Sequence, residues 1–195
     1  MIGRLLLAGV AGGAIVFVMS GAQNAVLPAA EPRSLPAQAA ILPVLKASIP
    51  RAGFYFFPGD ALTRAMTAAE RDAALADHGR RFREGPAGVI VYSAGGDDFA
   101  FGRRLATQFA LSVIAALTAS AILALGAGTA TYGARVAVVC LTGVFAFVYL
   151  EPQYWNWYGF PASYTAARVA GGVVAWAAAG CAMAAIVGCS VKERG

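Results

Sequence analysis

Tyr154-Trp155-Asn156-Trp157-Tyr158-Gly159-Phe160-Pro161 is the stretch that decides how this chain is read. Tryptophan and tyrosine carry an apolar ring with a polar tip, and they collect where hydrocarbon meets water. Set between two long apolar runs, the stretch reads as an aromatic turn at a membrane surface that joins two spanning helices. In such a turn Trp155 and Trp157, alternating with Asn156, share one face while the amide points away toward a domain or a partner. An interfacial anchor is the simplest role for it, and a docking surface the more specific one.

Composition points the same way. Apolar residues make up 59% of the 195 and charged residues 13%, against a soluble average of about 45–50% and 25%. The mean hydropathy is +0.65. Ten of the 15 Lys and Arg and eight of the 10 Asp and Glu lie between Glu31 and Arg104, so the rest of the chain is almost bare of charge. The sequence pI of 9.4 does not indicate nucleic acid, because the basic residues are diluted by nearby acids and form neither a basic helix nor a stacking platform.

Four hydrophobic spans can be drawn: Leu5–Ala22, Leu105–Ala127, Val136–Leu150 and Ala166–Cys189. A hydrocarbon core of about 30 Å needs about 20 helical residues, which the second and fourth supply. The third is shorter and reaches spanning length only with Tyr132, Gly133 and Arg135 at one interface and the aromatic turn at the other. Met1–Arg4, Leu5–Met19 and Ser20-Gly21-Ala22 also satisfy the charge, apolar and small-residue pattern of a signal peptide. Gly9 and Gly13, a pair that admits a second helix, and the apolar Val26-Leu27 favour a retained anchor. With both termini inside, Arg4, Arg135, Lys192 and Arg194 are cytoplasmic and the short outer turn carries only Glu151, although Arg103, Arg104 and Arg168 oppose this orientation.

The resulting fold class is a membrane α-helical, four-helix transmembrane bundle with a small extracytoplasmic α/β domain between spans one and two. Its parts are an anchor or signal peptide at 1–27, the exported domain at 28–102, a three-span region at 103–190 and a cytoplasmic tail at 191–195. In the domain, prolines 28, 32, 36, 43 and 50 suit a linker and a short helix between Pro36 and Ser48. Gly53-Phe54-Tyr55-Phe56-Phe57-Pro58 is a short strand ended by a Pro-Gly turn. Thr67 and Glu70 form a capping box, with acids early and Arg80, Arg81 and Arg83 late in the helix that follows, which complements its dipole. Gly85-Pro86 stops that helix, and Gly88–Tyr92 is a second strand. Phe54, Tyr55, Phe56 and Phe57 exceed what one short helix can cover; they are either the domain's own core or a docking face for lipid or protein.

Catalytic signatures are missing from the sequence. The lone His78 lies among Asp77, Arg80 and Arg81 and reads as a solvated helix residue. No histidine falls in a span, which removes axial histidine ligation of a pigment within this chain. Cys140, Cys181 and Cys189 lie in spans without the spacing of a metal or redox motif and read as small packing residues. Asp97-Asp98 after Gly95-Gly96 reads as a solvated turn, since an all-oxygen cation site needs more ligands. The spans carry Thr107, Gln108, Ser112, Thr118, Ser120 and Thr142 but no acid, Lys or His at mid-depth of the kind that ion-coupled transport uses. Arg168 reads as a structural anchor that pairs with Glu151 or reaches lipid phosphate. No catalytic, cofactor or metal residue is assigned. The small-residue ladders Ala167-Gly171-Ala175-Ala179 and Gly180-Ala184-Gly188 serve the bundle itself or assembly with another subunit.

The Gly9, Gly12 and Gly13 cluster, the Gly53–Pro58 segment and the aromatic turn before Tyr164-Thr165 together resemble a family of small four-span bacterial inner-membrane proteins. That family has no assigned activity, so the resemblance implies topology and location, not mechanism. The expectation is an accessory, assembly or scaffold subunit whose exported domain and aromatic turn meet a membrane-protein partner. The alternative is a transporter or a binder of lipid or another hydrophobic molecule.

Overall fold

Glycine at every fourth position of a helix leaves a strip of bare backbone, and two such helices can approach until their main chains touch. The computed structural model describes residues 2–27, 32–59, 65–95, 99–126 and 131–192. Gly96, Asp97, Asp98 and Arg194 lie outside the described residues, as do the side chains of Cys189 and Lys192. The elements run α1 (Ile2–Val26), α2 (Gln38–Ser48), β1 (Gly53–Phe57), α3 (Ala68–Glu84), β2 (Gly88–Tyr92), α4 (Phe101–Gly126), α5 (Tyr132–Tyr158) and α6 (Ala162–Lys192). They divide into two units. One holds Met1–Pro32, Asp98–Gln153 and Pro161–Gly195; the other holds Arg33–Asp97 and Tyr154–Phe160.

Four helices of the first unit are long and apolar enough to cross a membrane: Ile2–Gln23, Phe101–Gly126, Tyr132–Tyr158 and Ala162–Gly188. Helix α1 is packed against both α4 and α6. A Cβ added at Gly9 would meet Leu117, and one at Gly13 would lie 2.5 Å from the Val113 Cα. One turn further on, Phe17 meets Phe109 edge-on at 5.5 Å. Each step of four along α1 therefore meets a step of four back along α4, the register of an antiparallel pair. Gly12, turned about 100° from Gly13, lies instead against the Met183 side chain of α6.

Helix α6 uses its two ladders on two neighbours. Gly171 faces Gln23 of α1, while Gly172 and Gly180 face Phe147 and Val139 of α5. Gly143 of α5 receives Trp176 in return, so this pair is also antiparallel with a four-residue step. The buried core collects Ala8, Val16, Ala116, Leu123, Val139, Trp176, Ala179 and Met183. Large apolar side chains such as Leu125, Leu141 and Phe145 point outward. Three span hydroxyls donate to their own helix at 2.9–3.0 Å: buried Ser112 to the Gln108 carbonyl, exposed Thr118 to Ile114 and half-buried Thr142 to Val138.

The third span is longer than the stretch Val136–Leu150 expected above. Helix α5 runs through Glu151, Pro152 and Gln153 to Tyr158, 27 residues in all. Polar residues do not end a helix; loss of helical backbone does. Gly159 takes a left-handed φ of 71°, the usual way to close a helix C-terminus, and the Phe160 N–H donates to the Tyr154 carbonyl at 3.3 Å. The aromatic stretch is accordingly not a turn. Residues 154–158 are the last turn of α5, and only residues 159–161 connect it to α6. Trp155 and Trp157 then stand about 200° apart at helical spacing and do not share a face.

In the second unit β1 and β2 pair antiparallel from Gly53 opposite Tyr92 to Phe57 opposite Gly88. Helix α3 begins at the expected capping box. The Glu70 N–H donates to Thr67 Oγ1 at 3.3 Å, and the Thr67 N–H donates back to Glu70 Oε2 at 2.8 Å. Gly85, with φ 64°, ends it.

The glycine seam makes a test with opposite signs. Gly13→Val should lower the unfolding midpoint in detergent, because backbone must move; overpacking of this kind costs about 1–3 kcal/mol. Gly102→Ala, where an added Cβ has nothing within 4 Å, should be neutral or raise the midpoint, since glycine costs a helix about 0.5–1 kcal/mol relative to alanine. Equal effects would contradict the seam.

Candidate functional site

Strand alternation sends Phe54 and Phe56 to one face of the hairpin with Val89 and Val91, and Tyr55 and Phe57 to the other with Ile90. Helix α3 covers the Phe56 end of the first face. His78 stacks on Phe56 at 6.4 Å and lies 6.3 Å from Phe82. This corrects the solvated reading of His78. The imidazole is half-buried in an aromatic layer, and its Nδ1 has no hydrogen-bond partner among the described residues. The spacing of His78 and Phe82, one helical turn apart, carried that signal; the charged residues around His78 obscured it.

At the other end of the same face Phe54 meets Tyr158 edge-on at 5.2 Å, with planes at 86°. Tyr154 lies 6.1 Å from Tyr158 and 5.4 Å from Phe160. Phe54, Tyr154 and Tyr158 are thus brought together, joined by Phe160. Edge-on ring pairs add about 0.5–1.5 kcal/mol beyond the area they bury. Trp155 and Trp157 stand out of this cluster, 51% and 70% exposed, and Asn156 between them is exposed as well. The Tyr55 hydroxyl donates to the Arg51 carbonyl at 2.8 Å, and Phe57 packs its ring over Gly88. Phe54 to Phe57 are therefore divided between two faces instead of forming one.

In the helical unit, Arg168 Nε donates to Glu151 Oε1 at 3.4 Å, with the carboxylate side chain 15% exposed. That pair joins the last part of α5 to the start of α6. Two features had no strong sequence signal. Arg135 is buried in the first turn of α5, in space left by Gly188. Gln23 is buried at the end of α1 and donates through Nε2 to the Ala167 carbonyl at 2.9 Å. Beside Gln23 a cavity of about 360 Å³ lies between α1 and α6, lined by Met19, Val26, Ala170, Gly171 and Val174. Cys140 is half-buried and Cys181 exposed. Among the described residues, no group of three or more His, Cys, Asp or Glu is placed to hold a metal ion.

The charged chemistry sits on α3. Arg80 bonds Asp77 and Glu84, and Arg81 Nε bonds Asp77 at 2.9 Å. The hydrogen bond from Arg80 holds the Asp77 carboxyl below its ordinary range, and the Thr67 hydroxyl does the same for Glu70. The same contacts with Asp77 and Glu84 raise Arg80. These exposed pairs set the ends and outer face of a helix and form no cleft.

No known protein family, curated protein or solved structure matches the chain.

Both carboxyl groups are depressed in the folded state, so their stabilisation of α3 is complete above the ordinary carboxylate range and is lost as pH falls through their lowered values. Amide protection across residues 68–84, corrected for intrinsic exchange, should therefore fall between about pH 5 and pH 2. Glu70→Gln should start less protected at neutral pH and lose less on acidification. A profile flat in acid would contradict the assignment.

Proposed function

We propose that this chain is a multi-pass protein of the bacterial inner membrane that serves as an accessory, assembly or scaffold subunit and performs no catalysis of its own. Membrane residence is supported by the four long apolar helices and by the outward-facing Leu125, Leu141 and Phe145. Both termini are assigned to the cytoplasm and residues 28–102 to the far side. The glycine contacts of α1 with two neighbours support its retention, since removing it would strip the inner faces of α4 and α6.

The observation that carries the subunit reading is the pair Trp155 and Trp157, exposed on a helical turn whose neighbours Tyr154 and Tyr158 are held by ring contacts. Exposed tryptophans on an ordered support are what a protein interface uses as anchors. A second reading, binding of a lipid or other hydrophobic molecule, draws on the apolar cavity beside Gln23.

Extraction from native membranes in mild detergent, followed by native mass spectrometry, separates the two. A stoichiometric protein partner is expected, and Trp155→Ala with Trp157→Ala should weaken its binding about 10-fold or more, the scale of an interface anchor. A tightly held lipid that is lost in Gly171→Leu would favour the second reading instead. For topology, alkaline phosphatase fused at the C-terminus should be inactive and the same enzyme inserted after Ser93 active; the reverse pattern contradicts the orientation.

A further inference from the structure

Helix α2 lacks what normally holds a short helix together. It has 11 residues, Pro43 in its interior and no side-chain cap; the N-cap Ala37 sits in the left-handed region at φ 51°. Isolated helices below about 12–15 residues are marginal in water even without proline. Tertiary burial does not compensate, because none of its side chains is buried. Only Gln38, Lys46 and Ser48 are polar. At about 100° per residue, Val44, Ile41, Leu45 and Leu42 form an apolar arc about 160° wide. Ile41 and Leu45 at its centre are half-buried, whereas Leu42 and Val44 on its flanks are 51% and 61% exposed.

The charge on this segment of the chain has one sign. Between Pro32 and Gly59 stand Arg33, Lys46 and Arg51, all exposed, and no Asp or Glu. On α3, by contrast, Arg80 and Arg81 are matched by Asp77 and Glu84. The connection is also short. Eleven residues separate Val26, at the end of α1, from Gln38. Such a chain reaches at most about 40 Å, a length that permits α2 to lie along a lipid surface that α1 enters.

We propose that α2 is an interfacial helix that lies along an anionic lipid surface, with Leu42 and Val44 entering the headgroup boundary and Arg33, Lys46 and Arg51 over lipid phosphates. A helix with an apolar arc and cationic flanks takes that position, and the apolar phase supplies the cover the fold does not. The positive charge, unmatched among the described residues, selects anionic lipid over a neutral surface. This inference rests on the membrane reading of the four long helices.

Single cysteines at Leu42→Cys, Ala73→Cys on α3 and Phe145→Cys on α5 separate the two claims. Each is placed in a background with Cys140, Cys181 and Cys189 changed to alanine and labelled with an environment-sensitive fluorophore. The full chain is reconstituted in vesicles of phosphatidylcholine and phosphatidylglycerol, roughly three to one, with a spin-labelled lipid as quencher. The expected result is strong quenching at 145 and quenching at 42 at least about twofold that at 73, as an interfacial position requires. In phosphatidylcholine alone, or with Lys46→Glu and Arg51→Glu, quenching at 42 should fall to the level at 73. Quenching at 145 but not at 42 overturns the α2 proposal and leaves the membrane reading standing; no quenching at 145 overturns both. Quenching at 42 that is indifferent to lipid charge overturns the anionic assignment. Shielding of 42 from soluble iodide without lipid quenching shows a protein cover and overturns the proposal too.

Discussion

The approach of α1 to α4 and α6 is the contact on which the bundle depends. Gly9 and Gly13 bring α1 against the backbone of α4, and Gly12 admits Met183 from the other side. Dispersion between closely set helices, not exclusion of water, has to hold such a bundle in an apolar solvent. That attraction falls steeply when backbones are held apart by even one methyl group. The α5·α6 pair repeats the device with larger side chains: Trp176 fills the space at Gly143 and Phe147 the space at Gly172. Glu151 and Arg168 then join the same two helices near their connection.

The second unit lives under a different constraint. A two-stranded sheet is marginal on its own, and the two ends of its aromatic face have separate contacts. Phe56 packs on α3 through His78, and Phe54, still 54% exposed, meets Tyr158 of the last turn of α5. The ring cluster therefore does structural work, and Trp155 and Trp157 stand exposed outside it. Among the described residues, helix α2 has only a partial cover, over Ile41 and Leu45, and Leu42 and Val44 stay exposed.

Much of this was legible in the residues. Apolar length identified the four long helices, Thr67 and Glu70 marked the start of α3, Gly85-Pro86 its end, and Gly9 and Gly13 the close approach of another helix. The strands Gly53–Phe57 and Gly88–Tyr92 followed from β-forming runs bounded by glycine and proline. The aromatic stretch misled because ring chemistry reports the depth of a residue and not its backbone; Gly159, the first position there to leave the helix, was the signal that mattered. The burial of Gln23 and Arg135 was not legible. Each depends on which neighbour a helix face meets, and local sequence does not carry that information.

The central claim is that α1 remains part of the protein and packs antiparallel to α4 through its glycine face. The most direct measurement is oxidative cross-linking in native membranes of Phe17→Cys with Phe109→Cys, the edge-on pair at 5.5 Å, in a background otherwise free of cysteine. The account predicts a rapid disulfide within one chain that still carries its N-terminal peptide. A chain that lacks residues before Gly21, or one that cross-links only between molecules, would contradict it.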